Sequence, residues 1–461
     1  MNPNQWPSNV VRLLVIVLMM LVATTASAEW KEKVLYSFQG GNDGAYPAGG
    51  VVSDKRGNLY SATEAGGPPS CAPIGNYCGT VYELTPPANQ GDSWTKTQIY
   101  MFKGKGDNDG EVPTGGLTID GAGNLYGVTG YGGTGDCVLV GVAAGCGTVY
   151  ELSPPTQKGG KWTEAILYNF RGGTDGDFPW GDLVFDKEAN LYGATQFGGG
   201  KGTTCNQYYG GNCGTVFKLS PSKKKGGAWK EEILHRFAGG TDGANPNGDL
   251  ILDATGAVYG LTTAGGNKNC NYGSGQIGCG TAFKLEPPTK KDGSWGEQLL
   301  HRFDRTNSDG GNPMAGLLLD SKGNLYGTTV NGGPGPGGIA FRLAPSEKSG
   351  RWKEAILHGF NDRGDDGYDP ECSLIFDQAG NLYGTTNVSE IGFGDVFRLK
   401  PSGRNGTWVA SVLHSFSAIP DGLFPAANLI FDKQGNLYST TQQGGTGACP
   451  GGCGTVFEAS P

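Results

Sequence analysis

Histidine is nearly absent: the 461 residues contain four, His235, His301, His358 and His414. All four occupy one position of a repeated Leu-His-x-Phe pattern, where earlier copies carry Tyr36, Tyr100 and Tyr168. A position that accepts His or Tyr is structural. Histidines on four separate repeat units are not expected to form a three-ligand metal site or a catalytic triad, which disfavours hydrolases that need a His base. Basic runs are equally scarce. The longest is Lys223-Lys224-Lys225, and the net charge is −8. Phosphate backbones are held by clustered cations, so no nucleic-acid partner is expected. Helical periodicity is missing beyond the N-terminus, and no cysteines show Cys-x-x-Cys spacing.

The one long apolar run lies at the N-terminus, where Arg12 precedes residues 13–22 and the small-residue pattern Ala26-Ser27-Ala28 follows. This is the layout of a secretory signal, with cleavage expected after Ala28 and export to the periplasm, cell surface or medium. Residues 1–28 are assigned to the signal and 29–461 to one folded unit. No membrane span is expected after cleavage, because the uncharged stretch is short for one.

What the chain has in excess is glycine, 84 residues, alongside 19 Tyr, 19 Phe and 9 Trp. A disordered chain would lack the aromatics. The glycines recur in register. Asp-Gly-x-x-Pro occurs seven times: Asp43/Pro47, Asp109/Pro113, Asp175/Pro179, Asp242/Pro246, Asp309/Pro313, Asp366/Pro370 and Asp421/Pro425. A tryptophan precedes each, at Trp30, Trp94, Trp162, Trp229, Trp295, Trp352 and Trp408. Within the third unit, residues 162–170, 183–185, 190–193 and 214–219 show the alternation and β-branched or aromatic enrichment of four strands. Asp-to-Asn hairpins join the second and third stretches at 54–58, 120–124, 320–324, 377–381 and 432–436, and are varied at 188–190 and 256–258. Asp at the turn start and Gly at a positive-φ site are turn chemistry, so these acids are turn formers rather than ligands.

Seven four-stranded units predict an all-β, seven-bladed β-propeller. The chain opens on a strand at 30–38 and stops after 454–457, so the N-terminal strand is expected to complete the last blade. The unit Asn-Leu-Tyr-Gly-x-Thr…Gly-Gly…Cys-Gly-Thr-Val-Phe-x-Leu-x-Pro resembles the GloVer tandem repeat of exported bacterial "choice-of-anchor" proteins across the whole mature chain. The Asn-Leu-Tyr after an Asp turn is also similar, more weakly, to NHL-type and lactonase-like propellers. The GloVer resemblance implies an exported repeat protein without an assigned biochemical role, and it supplies no catalytic residues. The sequence departs from the anchored pattern in showing no C-terminal sorting segment.

Ten of the eleven cysteines pair locally, as Cys71/Cys78, Cys137/Cys146, Cys205/Cys213, Cys270/Cys279 and Cys449/Cys453, each in the glycine-rich connection of its own unit. In an exported protein these are expected disulfides rather than metal ligands. Cys372 is left over and is expected to be a buried free thiol.

The Asp-Gly-x-x-Pro turns and the cysteine loops should emerge on one face, the default binding surface, with the seven turn Asp residues ringing its centre. Aromatic side chains concentrate in these loops, and Trp180, Tyr208, Tyr209, Tyr272, Tyr77 and Tyr131 are the candidate ligand contacts. An apolar tip, Val138-Leu139-Val140-Gly141-Val142, lies inside one cysteine loop. No cofactor is required. The acid clusters that include Asp107, Asp109, Asp365, Asp366 and Asp369 are candidates for Ca²⁺, although neither matches an EF-hand loop. The favoured function is a non-catalytic binding or scaffold propeller recognising a glycan or protein on the loop face. The alternatives are a carbohydrate-active hydrolase or lyase using carboxylates and tyrosines in the central funnel, and a structural cell-surface protein.

Overall fold

The computed structural model describes residues 30–68, 78–89, 91–139, 141–157, 159–200, 213–224, 227–247, 249–267, 270–272, 276–290, 293–346, 351–361, 366–389, 392–403, 407–417 and 419–461. The expected signal at 1–28, Cys71, Tyr77, Cys205, Tyr208, Tyr209 and Asp365 lie outside them. Among the described residues there is no α-helix, only strands and short 3₁₀ turns.

Seven antiparallel sheets stand in a ring. The third blade runs Gly176–Phe185, Leu191–Gly198, Thr215–Ser220 and Lys230–Arg236 from the axis outwards. Its inner strand reaches well back into the Asp-Gly-x-x-Pro motif, which is therefore strand as well as turn, with a bulge between Trp180 and Val184. In the first blade the same strand is broken into Ala45–Pro47 and Val52–Ser53, both paired with Leu59–Ala65. Proline fits here because an innermost strand is an edge and needs no donor on its open side.

The hairpins on the opposite face form as the sequence indicates. In each, one carboxylate oxygen of the Asp accepts two backbone N–H bonds and the other accepts side-chain donors, as when Asp320 receives Lys322 N, Asn324 N, Asn324 Nδ2 and the Tyr326 hydroxyl. Burial alone would raise the Asp320 carboxyl, but these bonds hold it below its usual range. The varied units keep the same start, at Asp186 and Asp253, and Ala189 takes the positive-φ place of glycine at φ 62°.

Each hydrophobic cluster is shared by two neighbouring blades. Tyr126, Val128 and Val149 of the second blade pack with Leu191, Phe217 and Leu219 of the third. Tyr438 and Val456 of the last pack with Val51, Tyr82 and Leu84 of the first. At every junction a fully buried Phe meets an aromatic ring of the next blade, from Phe38 on Tyr82 at 5.0 Å to Phe416 on Phe457 at 5.1 Å. Such pairs contribute about 1 kcal/mol each beyond area burial. Lys31–Ser37 is hydrogen-bonded antiparallel to Thr455–Ser460, with Lys31 opposite Ser460.

Among the described residues, Cys137–Cys146, Cys270–Cys279 and Cys449–Cys453 are bonded pairs. Cys78 and Cys213 are disulfide-bonded too. Cys372 is buried and free, its sulfur accepting the Thr385 N–H.

Candidate functional site

Two motifs lock on the loop face. The residue before the motif proline has a left-handed backbone in all seven units, Tyr46, Val112, Phe178, Asn245, Asn312, Asp369 and Phe424, with φ between 54° and 60°. Non-glycine residues rarely adopt this region. Its N–H explains it: each donates to a loop carbonyl of the preceding blade, Val112 to Cys78, Phe178 to Cys146, Asn245 to Cys213 and Tyr46 to Cys453. The strain is held by an inter-blade hydrogen bond.

The seven motif Asp residues do not ring the centre. Each carboxylate turns back towards the end of the outer strand, where Asp109 accepts the Lys103 N–H and the Tyr100 hydroxyl, and Asp242 accepts the Ala238 N–H. The motif Asp precedes the inner strand, so its side chain caps the crossover instead of facing the axis.

The axis belongs to residues three beyond the motif proline: Gly50, Gly116, Asp182, Asp249, Gly316, Ser373 and Asn428. Four have side chains, and these join across the channel. Asp182 accepts the Gly116 N–H, and its own N–H goes to Asp249 Oδ1 at 2.8 Å. Asp249 Oδ2 also accepts Ser373 Oγ at 3.1 Å and Asn428 Nδ2 at 2.5 Å, and the same Asn428 nitrogen reaches Asp182 Oδ2 at 3.4 Å. Burial, followed by the Asp249 charge, pushes the Asp182 carboxyl well above its ordinary value. Glycine is needed where chains crowd this plug: a Cβ on Gly116 would meet Asp182 Oδ1 at 2.7 Å.

Around the plug lies a cavity of about 120 Å³. Trp180, Asn247, Met314 and Glu371, each one beyond the motif proline, line it together with Glu64 and Gln442. Among the described residues, no Lys, Arg or His contributes to its wall. Burial raises Glu64 to about 7. Burial, then the Asp369 charge, raises Glu371 to about 7. Asn247 is fixed by Gln196 Nε2 at 2.8 Å and by its own bond to the Met314 carbonyl. Trp180 is the only aromatic residue at its position in the seven units.

Of the aromatic candidates, Trp180 and Tyr131 come together. Trp180 stacks on Phe178 with centroids 5.6 Å apart, and Phe178 lies 4.8 Å from Tyr131. Tyr272 is in a short hairpin, Asn271–Tyr272 with Gln276–Ile277, inside its disulfide loop. The tip at Val138 is a similar hairpin and is 63% exposed. Among the calcium candidates, Asp107 is exposed on a 3₁₀ turn, Asp109 is taken up by three donors, Asp366 lies 2.5 Å from His358 Nε2, and Asp369 is partly buried. None of these four belongs to a three-donor cluster among the described residues. Cys137, Cys146 and Asp177 do cluster, but the sulfurs are bonded to each other.

With repeat and ring both established, similarity to known proteins can be placed. The Gloeobacter/Verrucomicrobia repeat model matches residues 22–273 and 270–461. The chain belongs to this repeat family. No curated protein matches it. The repeat propeller is similar to the solved ulvan lyase of polysaccharide lyase family 25, bound to -[GlcA(1-4)Rha3S]-, at 11% identity over 92% of this chain and 95% of that one, TM-score 0.51. It is also similar to a Dyadobacter fermentans protein of unknown function (13%, 94% and 98%, TM-score 0.44) and to Pseudomonas fluorescens PhoX in complex with vanadate (11%, 94% and 95%, TM-score 0.43). At these identities the likeness is one of fold. Among the described residues no helix is long and apolar enough to cross a membrane.

Proposed function

We propose that this Gloeobacter/Verrucomicrobia repeat propeller is exported and acts as a non-catalytic binding protein, taking a neutral glycan into the central funnel of its loop face. The reading rests on the cavity around the axis, where one indole, Trp180, stands beside amides and carboxylates with no cation among the described residues of the wall. Aromatic faces stack on sugar rings, and fixed amides and carboxylates receive hydroxyls. The bonded disulfides suit an oxidising compartment.

Catalysis is the second reading, and one observation favours it: Glu64 and Glu371 line one cavity with carboxyls near neutrality, as acid–base chemistry requires. The other two acids do not serve it. Every oxygen of Asp182 and Asp249 accepts a hydrogen bond that ties blades together. A uronate substrate is unsuited to a wall whose described residues include four carboxylates and no cation.

A glycan array with the mature chain tests the reading. Neutral oligosaccharides should bind and uronate-rich ones should not, and Trp180→Ala should weaken binding at least tenfold. Undiminished binding by Trp180→Ala, or turnover of a bound glycan by the wild-type chain, overturns it.

A further inference from the structure

Away from the funnel, the outer strands repeat a second arrangement. The Tyr or His of Leu-[Tyr/His]-x-Phe sits beside the motif Asp of its own unit, and the residue four before the next Tyr or His closes the group from the neighbouring blade. The seven junctions solve one electrostatic problem differently. At the first, Lys96 supplies a cation, with Nζ 2.8 Å from Asp43. At the second and third, tyrosine hydroxyls bond the acids: Tyr100 bonds Asp109 at 2.8 Å, and Tyr168 bonds Asp175 at 3.1 Å and Glu231 at 2.8 Å. At the sixth, His358 pairs directly with Asp366, and Ala410 stands where the others have an acid or Lys96.

Three junctions remain, and each gathers one imidazole and two carboxylates. They are His235/Asp242/Glu297, His301/Asp309/Glu354 and His414/Asp421/Glu32, with ligand atoms all within 4.8 Å of one another. We propose that these three blade junctions are binding sites for a zinc-class divalent ion, each ligated by one His and two carboxylates from adjacent blades.

Geometry carries the assignment. His235 Nε2 is 3.6 Å from Asp242 Oδ2 and 3.6 Å from Glu297 Oε1. This is too long for hydrogen bonds. It suits two atoms bound to one tetrahedral ion at about 2.1 Å, whose separation is about 3.4 Å. His414 Nε2 is 3.5 Å from Asp421 Oδ2. His301 Nε2 is hydrogen-bonded to Asp309 at 3.1 Å, a bond that an ion would replace, and lies 4.0 Å from Glu354. His235 Nε2 and His414 Nε2 are buried and have no hydrogen-bond partner, as are Glu32 Oε1 and Glu354 Oε1 in the same groups. Buried polar atoms normally find one. An imidazole nitrogen in the donor set selects transition ions over Ca²⁺ or Mg²⁺. The side chains of the first group are 19–21% exposed, which leaves an entry path. Three of the four histidines thus do enter three-donor groups, with carboxylates of the turn and of the next blade as the other members.

The test uses the untagged mature chain, freed of metal by chelation and dialysed at pH 8 against micromolar Zn²⁺. Three equivalents should bind. Each of His235→Tyr, His301→Tyr and His414→Tyr should remove one, the triple variant should remove all three, and His358→Tyr should remove none. Tyrosine already serves this position in three junctions, so the variants should fold, which the melting curve checks. Should a variant unfold, Co²⁺ added to the wild type gives a second reading: contact-shifted imidazole resonances from three histidines are expected. No bound zinc, a stoichiometry unchanged in the folded triple variant, or cobalt without histidine shifts overturns the proposal.

Discussion

Gly454 lies so close to Pro47 that a Cβ on the glycine would sit 2.4 Å from the proline Cδ. One residue belongs to the last unit and the other to the first. The same approach joins Gly79 to Pro113 at 2.3 Å, Gly147 to Pro179 at 2.6 Å, Gly214 to Pro246 at 2.6 Å, Gly280 to Pro313 at 2.7 Å and Gly394 to Pro425 at 2.5 Å. Cys-Gly-Thr, or Phe393-Gly394-Asp395 in the sixth unit, and Asp-Gly-x-x-Pro are therefore two halves of one contact between blades. Gly454→Ala should lower stability by about 2–4 kcal/mol through clash and its φ of 93°. Gly91→Ala also has a positive φ, 100°, but meets nothing within 4 Å, and should lose about 1 kcal/mol. Urea unfolding of both variants checks this, and equal losses would remove the contact from the account.

At the axis, Asp249→Ala strips the acceptor from the Asp182 N–H, the Ser373 hydroxyl and the Asn428 amide together. A loss of about 2–4 kcal/mol is expected, since buried donors are left unpaired. Asp249→Asn keeps one accepting oxygen, for the Asp182 N–H, but turns an amide donor towards Ser373 and Asn428, so it should lose less than Asp249→Ala, about 1–2 kcal/mol. Matching losses in the two variants would mean that the plug does not work through these bonds.

Glu64 gives a pH dependence of definite sign. Burial raises its folded pKa to about 7, above the ordinary 4.5 of a free glutamate. The folded state therefore holds the proton more tightly, and its contribution to stability, complete below pH 4.5, is lost as pH climbs through 7. Glu64→Gln should leave stability unchanged at pH 4 and raise it by up to about 3 kcal/mol at pH 8. Chemical denaturation of both chains from pH 4 to 8 measures the gap, and a gap that does not vary with pH contradicts the buried carboxyl.

The repeat was legible because its markers are local. A tryptophan, an Asp-Gly-x-x-Pro and an Asp-to-Asn hairpin each announce a strand end by turn chemistry, and seven copies in register leave few architectures. The centre was harder to see. Asp182 and Asp249 stand in positions that hold Gly50, Gly116 and Gly316 elsewhere, and nothing beside them in the chain marks the axis; the departure shows only when the units are aligned on their prolines. Seven left-handed residues before those prolines went unread because the demand falls on an N–H, which any non-proline residue supplies. The histidine groups were hidden for a third reason. Glu297 is far from His235 in sequence, and only the packing of one outer strand against the next brings them together.

The pairing of Lys31 with Ser460 has a mechanical consequence. Both lie at the end of their strands opposite the cysteine loops, since Ser37 and Thr455 are the pair nearest the Cys449–Cys453 bridge. At Lys31 and Ser460 the chain therefore enters and leaves the ring on the underside. Force applied at these two strand ends pulls on one hydrogen-bonded pair and leaves the mouth on the opposite side untouched.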